Sequence, residues 1–396
     1  MKIVIAALSA PCSLNGVSRH AANLARGLLS LSDAPEVHFI AGEWQRDMFP
    51  PAIARADSRF HLHWIQIRRS NFGRIVWYYR DLPSIAAQLG ADVVHLTCPA
   101  PVRAGAYTCP TVVSLHDLYP FDIPGNFGTV RSEISRRLMR QCLAKINAIT
   151  CVSAFTKARL AQLLPPHISQ KAVTIPNSIA PVYGAGAAPR ELRGSQPFVL
   201  CVAQHRQNKN VPLALRIFAE ALQANILPRH AQFVILGIAG PDTRRILKEI
   251  RELDLGERVI LLSGISDQEL RWCYRNGALL LAPSSIEGFG LPIAEALIAG
   301  CPVVCSDIPP FREIHGNQCR YVAFGEGLMK GYLRAIQEAL TEPRKSGASM
   351  PEFAPVSIAA RYMDLYRRLS GLRNVSQNGM LRHPDSEARE AEISIG

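Results

Sequence analysis

The 396-residue sequence lacks the marks of several common protein classes. No stretch reaches the roughly 18 consecutive apolar residues that a membrane-spanning helix needs, so we expect any membrane contact to be peripheral. The ten cysteines include no C-x-x-C pair, which predicts reduced thiols in a cytoplasmic protein rather than a zinc or redox centre. Aromatic residues make up only 7% of the chain and no nucleic-acid-binding motif accompanies its basic residues, so nucleic acid is not an expected partner.

Further absences bear on cofactors. No G-x-G-x-x-G follows the first apolar segment, which disfavours a dinucleotide cofactor, and no Asp-x-Asp motif is present. The pair His61-x-His63 has no third ligand or acidic partner near it in the sequence, so we interpret it as structural. The amino-terminal run Met1–Leu8 has one Lys and a short apolar stretch, which is typical of a buried strand rather than a signal peptide.

The charge balance is strongly positive. There are 44 Lys and Arg residues against 32 Asp and Glu, a formal net charge of +12. This favours anionic partners such as phosphates or an acidic lipid surface, without choosing among them.

Short apolar runs alternate with helical patterns along most of the chain, which predicts βαβ units with parallel sheets. A stretch rich in Pro and Gly interrupts the pattern at residues 179–196, and the pattern then restarts. We therefore predict two doubly wound α/β domains facing across a ligand cleft. The predicted divisions are a first domain (1–178), a linker (179–196), a second domain (197–355), a helix returning to the first domain (356–372) and a disordered tail (373–396).

The segment from Pro283 to Ala296 is the strongest candidate site. A predicted strand ends at Ala282, a turn with two glycines follows, and a helix begins near Pro292. Glycines let a ligand approach the backbone, and free N–H groups at a helix start attract phosphate. Glu287 and Glu295 flank that helix start, and each can accept two hydroxyls of a sugar. The plain alternative is a turn cap and a solvated helix residue, but Glu295 lies in an apolar run, where a carboxylate needs a partner.

Three loops at predicted strand ends supply further candidates. Arg206 and Lys209 follow the first strand of the second domain and suit a diphosphate, although two exposed loop cations are an equal interpretation. Gly16 follows the first strand of the chain and permits close approach of a ligand, or forms a plain turn. His116 follows another strand and can donate to a sugar hydroxyl, or serve only the structure.

Together these motifs resemble the large retaining glycosyltransferase family called group 1, or family 4, over about residues 1–370. Its most specific mark is E-x7-E, present as Glu287-x7-Glu295 within E-G-F-G-L-P. The later Glu313, the pair Val152-Ser153 and the run Gly300-Cys-Pro302 also fit the family's pattern. The resemblance implies the GT-B fold, with two Rossmann-like domains facing across a cleft.

The resemblance also implies roles by position. Glu287 would hold the donor sugar's hydroxyls and Glu295 the ribose diol. Backbone N–H groups in the segment Phe289, Gly290 and Leu291 would meet the donor and its diphosphate. The remaining candidates are Arg206 and Lys209 for the leaving diphosphate, His116 near the transferred sugar, and Gly16 beside the donor. The chain departs from the family in having Asn15-Gly16 for Gly-Gly and Ala203 for Gly.

The expected function is transfer of a hexose, with mannose favoured, from a nucleotide-diphosphate sugar to a lipid-linked or polysaccharide acceptor. GDP-mannose is the favoured donor, and no metal or other cofactor is expected, because the two cations and the helix start can stabilise the leaving diphosphate. The implied retention favours a front-face route, since no nucleophilic carboxylate stands out. A nucleotide-sugar epimerase of the same fold and a non-catalytic nucleotide-sugar-binding scaffold are the alternatives.

The stretch from Arg68 to Arg80 alternates basic and aromatic residues, R-R-S-N-F-G-R-I-V-W-Y-Y-R. It predicts either docking to an anionic membrane surface, at the cytoplasmic face of the inner membrane, or a helix that lines the core or the cleft.

Overall fold

A computed structural model of the chain describes residues 1–9, 16–48, 57–126, 128–179, 184–192, 196–344 and 346–371. The predicted tail from residue 373 lies outside the described residues, as do Asn15 and parts of the predicted linker. Among the described residues, no helix combines the length and the apolar character needed to cross a membrane.

In the described residues, the first domain contains a sheet of seven strands with α-helices on both of its faces. Its strands are β1 (Lys2–Ala6), β2 (Glu36–Gly42), β3 (Phe60–Ile65), β4 (Val93–Leu96), β5 (Thr111–Leu115), β6 (Ala148–Cys151) and β7 (Ala172–Thr174). Its helices are α1 (Gly16–Leu29), α2 (Asn71–Val76), α3 (Leu82–Leu89), α4 (Tyr119–Asp122), α5 (Thr129–Lys145), α6 (Ala154–Leu163) and α7 (Pro166–Ser169). Short 3-10 helices cover Glu43–Met48 and Pro124–Asn126, and a π-helical turn at Trp77–Asp81 joins α2 to α3.

The second domain repeats the plan with six strands. They are β8 (Phe198–Val202), β9 (Gln232–Leu236), β10 (Val259–Leu262), β11 (Leu279–Ala282), β12 (Val303–Ser306) and β13 (Arg320–Val322). The helices of this domain are α8 (Val211–Gln223), α9 (Thr243–Glu252), α10 (Asp267–Asn276), α11 (Leu291–Ile298), α12 (Pro309–His315) and α13 (Leu328–Thr341), and a last helix, α14 (Pro355–Ser370), follows it. Short 3-10 helices lie at Arg190–Leu192, Gln207–Lys209 and Pro351–Phe353.

All strand pairs in the two sheets are parallel. The strand orders are β3-β2-β1-β4-β5-β6-β7 and β10-β9-β8-β11-β12-β13. Each sheet is covered by helices on both faces, so its central strands are buried apolar runs. The prediction of two doubly wound α/β domains is confirmed.

The sequence pattern also predicts a third strand at Trp64–Arg68, and these bounds are wrong. The strand begins at Phe60 and ends at Ile65. It is an edge strand with one buried residue, Phe60, so it lacks the continuous apolar run that marks the central strands.

The last described helix, α14, packs on α1 of the first domain. At Gly27 of α1 a Cβ atom would stand 2.3 Å from the Pro355 carbonyl oxygen, so only glycine allows this approach. Tyr362 and Tyr366 of α14 are buried against the first sheet.

Candidate active site

The glycine-containing turn between β11 and α11 lies at the carboxyl edge of the second sheet. Gly290 caps α11 with a φ of +93°, and a Cβ atom there would come within 2.8 Å of the Phe311 ring. At Gly288 a Cβ atom would stand 1.8 Å from the carbonyl oxygen of His116 in the first domain. The turn therefore needs both glycines, and the two domains touch at this point.

Glu287 lies at the centre of that contact, with 8% of its side chain exposed. One carboxylate oxygen accepts a hydrogen bond from Lys209 Nζ at 2.5 Å, and the other accepts from the Tyr119 hydroxyl at 3.1 Å. Lys209 comes from the loop after β8, and Tyr119 comes from the first domain. A buried carboxylate is thus satisfied by a cation from its own domain and a hydroxyl from the other.

Asparagines join the loops around Glu287. The Asn208 carbonyl accepts from Ser285 N at 2.8 Å, and its side-chain amide donates to the Ile286 carbonyl at 3.2 Å. From the first domain, Asn126 donates to Asn208 Oδ1 at 3.2 Å and accepts from Gln207 N at 2.9 Å. These bonds fix the loop that carries Lys209 against the glycine-containing turn.

Arg206 lies in the same loop. In the described part of the chain no carboxylate comes within salt-bridge distance of its guanidinium, but its charge acts on Asp117 across the cleft. Burial raises the pKa of Asp117 to about 6, although the hydrogen bond from the Tyr119 backbone N–H and the Arg206 charge both oppose this shift. Two cations and two carboxyl groups therefore meet where the domains face each other.

His116 is half-buried on the first-domain side. Its Nε2 lies 2.9 Å from the Thr97 carbonyl oxygen and must be the donor in that bond, because a carbonyl can only accept. Burial lowers the pKa of His116 to about 4, so the ring is neutral at pH 7 and its Nδ1 is an acceptor. In this arrangement the free Nδ1 can accept from a sugar hydroxyl, and the contact of His116 with the sugar stays a prediction.

A neutral polar cluster lies behind His116. The Ser114 hydroxyl contacts His20 Nε2 at 2.9 Å and His95 Nε2 at 2.8 Å. His95 also bonds the Tyr366 hydroxyl of α14, and burial lowers the pKa of His95 to about 3. The returning helix thus supports the first-domain side of the cleft.

Glu295 lies within helix α11, which follows the glycine-containing turn, and it is also at the domain boundary. Its carboxylate accepts from the Tyr274 hydroxyl at 2.8 Å and lies 3.6 Å from Arg19 of α1. Arg19 also pairs with Asp267 at 2.6 Å. Burial raises the pKa of Glu295, and the Arg19 charge opposes that shift. The buried-carboxylate argument for Glu295 is supported, with a partner from the other domain.

The glycine and aromatic candidates differ in position. Gly16 begins α1 and faces Leu291 across the boundary, where a Cβ atom would meet the Leu291 side chain at 3.8 Å. Phe289 instead has 4% exposure and packs edge-to-face on Phe353, 5.8 Å between ring centres. The Phe289 side chain belongs to the second-domain core, so only its backbone could meet a donor.

A small cavity lies among second-domain residues beside the glycine-containing turn. The cavity beside Lys209, Glu287 and Gly290 has a volume of about 10 Å³. That is room for about one water molecule and far below the size of a nucleotide sugar. Glu313 adds a closing contact, because its carboxylate accepts from Ala154 N at 2.6 Å and Phe155 N at 3.0 Å at the start of α6. The two domains are therefore also joined at a second point, away from Glu287.

The sequence motifs did not identify three first-domain partners, namely Arg19, Tyr119 and Asn126. Each is distant in sequence from the glutamate or asparagine that it contacts. A weak local signal existed for two of them, since Arg19 follows Gly16 on the first turn of α1 and Tyr119 follows His116-Asp117.

Both domains of the chain match known family models. Residues 187–354 match the family model described as "Glycosyl transferases group 1", and residues 14–182 match "Glycosyltransferase Family 4". The two matches together cover both domains and the residues assembled at their boundary.

Individual relatives are distant. The chain is 23% identical to the O-antigen chain mannosyltransferase B of Escherichia coli, over 80% of this chain and 85% of that protein. It is 24% identical to the O-antigen chain mannosyltransferase RfbU of Salmonella typhimurium, over 53% of this chain and 56% of that protein. Sucrose-phosphate synthase from Thermosynechococcus elongatus shares the fold with a TM-score of 0.71 at 17% identity, covering 94% of this chain and 100% of that one.

Proposed function

This chain belongs to the group 1 glycosyltransferases of family 4, with the GT-B fold, and within that family we propose that it transfers mannose from GDP-mannose. The proposed acceptor is a lipid-linked saccharide or polysaccharide in cell-surface glycan synthesis. The two relatives named as O-antigen chain mannosyltransferases support the sugar and the acceptor class. The observation that carries the proposal is the buried pair of Glu287 and Lys209, held between the domains.

The second domain supplies the donor contacts. Glu287 accepts the hydroxyls of the donor sugar, and Glu295 accepts the ribose diol. The backbone N–H groups of Gly290 and Leu291, at the start of α11, bind the diphosphate, because free N–H groups at a helix start favour an anion. These roles place the sugar beside Lys209 and Arg206.

Lys209 and Arg206 stabilise the leaving group. As the bond between the anomeric carbon and the phosphate oxygen breaks, negative charge grows on the diphosphate, and two fixed cations lower the energy of that state. We therefore propose that no metal ion takes part in transfer. Equal rates in EDTA and in Mg²⁺ or Mn²⁺ are expected, and a rate that needs an added metal would contradict the proposal.

The proposed reaction retains the anomeric configuration. The acceptor oxygen bonds the anomeric carbon on the face that the diphosphate leaves, and the acceptor's proton passes to the departing phosphate oxygen. Asp117, a half-buried carboxyl group of the first domain, is the residue to be tested as a nucleophile instead. Mass spectrometry of the enzyme with donor should show no glycosyl adduct, and a trapped adduct on Asp117 would overturn the front-face route.

Donor entry requires the domains to part, and transfer requires them to close. The contacts of Arg19 with Glu295, Tyr119 with Glu287 and Glu313 with α6 support a closed arrangement in which both sides reach the reacting sugar. Closure excludes water, which would otherwise compete with the acceptor.

A thermal-shift panel of GDP-, UDP-, ADP- and dTDP-sugars tests the donor. Ligand bound to the folded state raises the melting temperature, so GDP-mannose should give the largest shift. A larger shift with a UDP-sugar would contradict the donor assignment and leave the family membership intact. A transfer assay with the preferred donor and a lipid-linked saccharide then tests the acceptor.

We also propose that the first domain docks on an anionic membrane. In the segment from α2 to α3, Trp77 and Tyr78 are buried, whereas Phe72 and Tyr79 are 76% and 45% exposed. The segment thus has a core side and an outer side, and arginines flank the outer aromatic residues. Val130 and Ile134 of α5 are also exposed, at 71% and 51%. Apolar side chains beside cations suit an interface of anionic lipid.

Liposome sedimentation tests this docking. The chain should bind vesicles containing phosphatidylglycerol at low salt and should bind the same vesicles less at high salt. It should not bind phosphatidylcholine vesicles. Phe72→Ser should weaken binding, whereas Phe324→Ser, which alters a 43% exposed residue of the second domain, should not. Equal binding of both variants would contradict the assigned surface.

A further inference from the structure

Four polar side chains gather at the amino ends of β2 and β3. In the register of these parallel strands His38 lies opposite His61, so the two rings project from the same face. Glu36 precedes His38 by two residues, and His63 follows His61 by two, which puts both on that face as well. This edge of the sheet is opposite to the carboxyl ends that form the active site.

Three of these side chains converge on one point. Glu36 Oε1 lies 3.1 Å from His38 Nε2 and 3.2 Å from His61 Nε2, and the three potential ligand atoms all lie within 4.8 Å of one another. Around a tetrahedral zinc ion with bonds of about 2.0–2.2 Å, ligand atoms are about 3.3–3.5 Å apart. Two of the three separations are near that spacing, and the His61 ring, 41% exposed, has room to adjust.

His63 occupies the position of a supporting residue. Its Nε2 lies 3.0 Å from His38 Nδ1. With a metal on His38 Nε2, the proton resides on Nδ1 and is donated to His63, the arrangement that commonly orients metal-binding histidines.

One lysine lies beside the cluster. Lys2 approaches the other carboxylate oxygen of Glu36 at 3.8 Å, which leaves Oε1 directed to the histidines. A hydrogen-bonded network without metal would also satisfy these groups, since Glu36 can accept from both His38 and His61. The two arrangements differ in whether the rings' Nε2 atoms carry protons or lone pairs.

We propose that Glu36, His38 and His61 form a binding site for a divalent transition-metal ion, with zinc as the best fit and His63 as its supporting residue. Imidazole and carboxylate ligands suit zinc better than magnesium. The ion would join edge strand β3 to β2 and so stabilise the first domain. It takes no part in transfer, because the site is at the opposite end of the strands from Glu287.

Isothermal titration of the tag-free full chain with zinc chloride tests the site. One zinc per chain should bind, and Mg²⁺ should not compete. His61→Ala and Glu36→Gln should weaken zinc binding by about tenfold or more, and His63→Ala by about tenfold. His230→Ala, at an exposed histidine of the second domain, is the matched control and should leave zinc binding unchanged. Cobalt(II) should give the visible absorption of a four-coordinate site in the unaltered chain and in His230→Ala, and should not give it in His61→Ala.

The outcomes are separable. No zinc binding, or equal binding by His61→Ala and His230→Ala, would overturn the site. If Glu36→Gln fails to fold by circular dichroism, His61→Ala still decides, because that ring is partly exposed. Transfer activity is a separate readout, so a failed metal site does not alter the proposed function.

Discussion

The two faces of the cleft are built from different chemistry. The second-domain face carries charge, with Glu287 paired to Lys209 and with Arg206 beside them. The first-domain face is mainly neutral and hydrogen-bonded, with His116 backed by the cluster around Ser114. Charge is concentrated where a diphosphate would leave, and neutral donors and acceptors lie where a sugar and its acceptor would be oriented.

This difference separates two tasks. A leaving dianion needs fixed cations, whose effect is strong in a site closed to water. Orientation of neutral hydroxyls needs hydrogen bonds whose direction is fixed, and buried neutral histidines supply them. Substitutions on the two faces should therefore have different kinetic and pH signatures.

The largest expected effect comes from removing charge on the second-domain face. Lys209→Met takes away a cation from the leaving group, and we expect kcat/KM to fall by about 10²- to 10³-fold. It also leaves the buried Glu287 carboxylate unpaired, which costs about 3–5 kcal/mol of stability. Lys209→Arg keeps the charge and should retain more activity and stability.

The control for this substitution is Lys248→Met, which removes an exposed lysine from the same domain. It should change neither the rate nor the melting temperature appreciably, since exposed ion pairs contribute little. An unchanged rate in Lys209→Met would contradict the claim that charge on the second-domain face stabilises the leaving group.

A smaller effect is expected where the faces meet at Glu295. Glu295→Gln weakens the contact with the donor ribose, so the donor KM should rise about tenfold with little change in kcat. Arg19→Gln removes the interdomain partner of Glu295 and leaves the proposed ribose acceptor in place. If Glu295 serves only the ion pair, steady-state kinetics will show the same change in both variants, and the ribose assignment fails.

A different kind of effect concerns the neutral face and appears in stability. Burial lowers the pKa of His95 to about 3 and of His116 to about 4, against 6.5 for an ordinary histidine. Below about pH 6.5 the unfolded chain therefore takes up protons that the folded chain excludes, and stability falls by about 1.4 kcal/mol per pH unit for each such group. Asp117 and Glu295, whose pKa values are raised, act in the opposite direction.

Melting temperatures between pH 7.5 and pH 5 test this prediction. The unaltered chain should lose stability on acidification. His116→Gln, which retains a donor for Thr97, should lose less, and His230→Gln at the exposed site should behave like the unaltered chain. Equal slopes for the two variants would show that His116 is not excluded from protonation in the fold.

The two faces of the cleft also differ in how much of each can be predicted from the sequence. Glu287, Gly290, Leu291 and Glu295 lie on one strand end, one turn and one helix, so their spacing alone predicts a site. The strands themselves were predictable because buried parallel strands are continuous apolar runs. The bounds of edge strand β3 were predicted wrongly because this strand has only one buried residue and therefore lacks a continuous apolar run.

Contacts between distant segments could not be predicted. Arg19 and Tyr119 reach the glutamates only because the two domains face each other, and no local periodicity reports that. His61-x-His63 lacked an acidic partner in its own segment, whereas the register of β2 with β3 brings Glu36 and His38 beside it. The direction of the His116 hydrogen bond likewise depends on Thr97, which follows a neighbouring strand.

The central claim is that Glu287, paired with Lys209, holds the transferred sugar. Isothermal titration of the unaltered chain and of Glu287→Gln with GDP and with GDP-mannose, or with the donor that the panel identifies, tests it most directly. We predict that the unaltered chain binds the nucleotide sugar more tightly than the nucleotide, and that Glu287→Gln loses about tenfold of that preference with its affinity for the nucleotide kept. A Glu287→Gln chain that keeps the full preference for the nucleotide sugar would contradict the account.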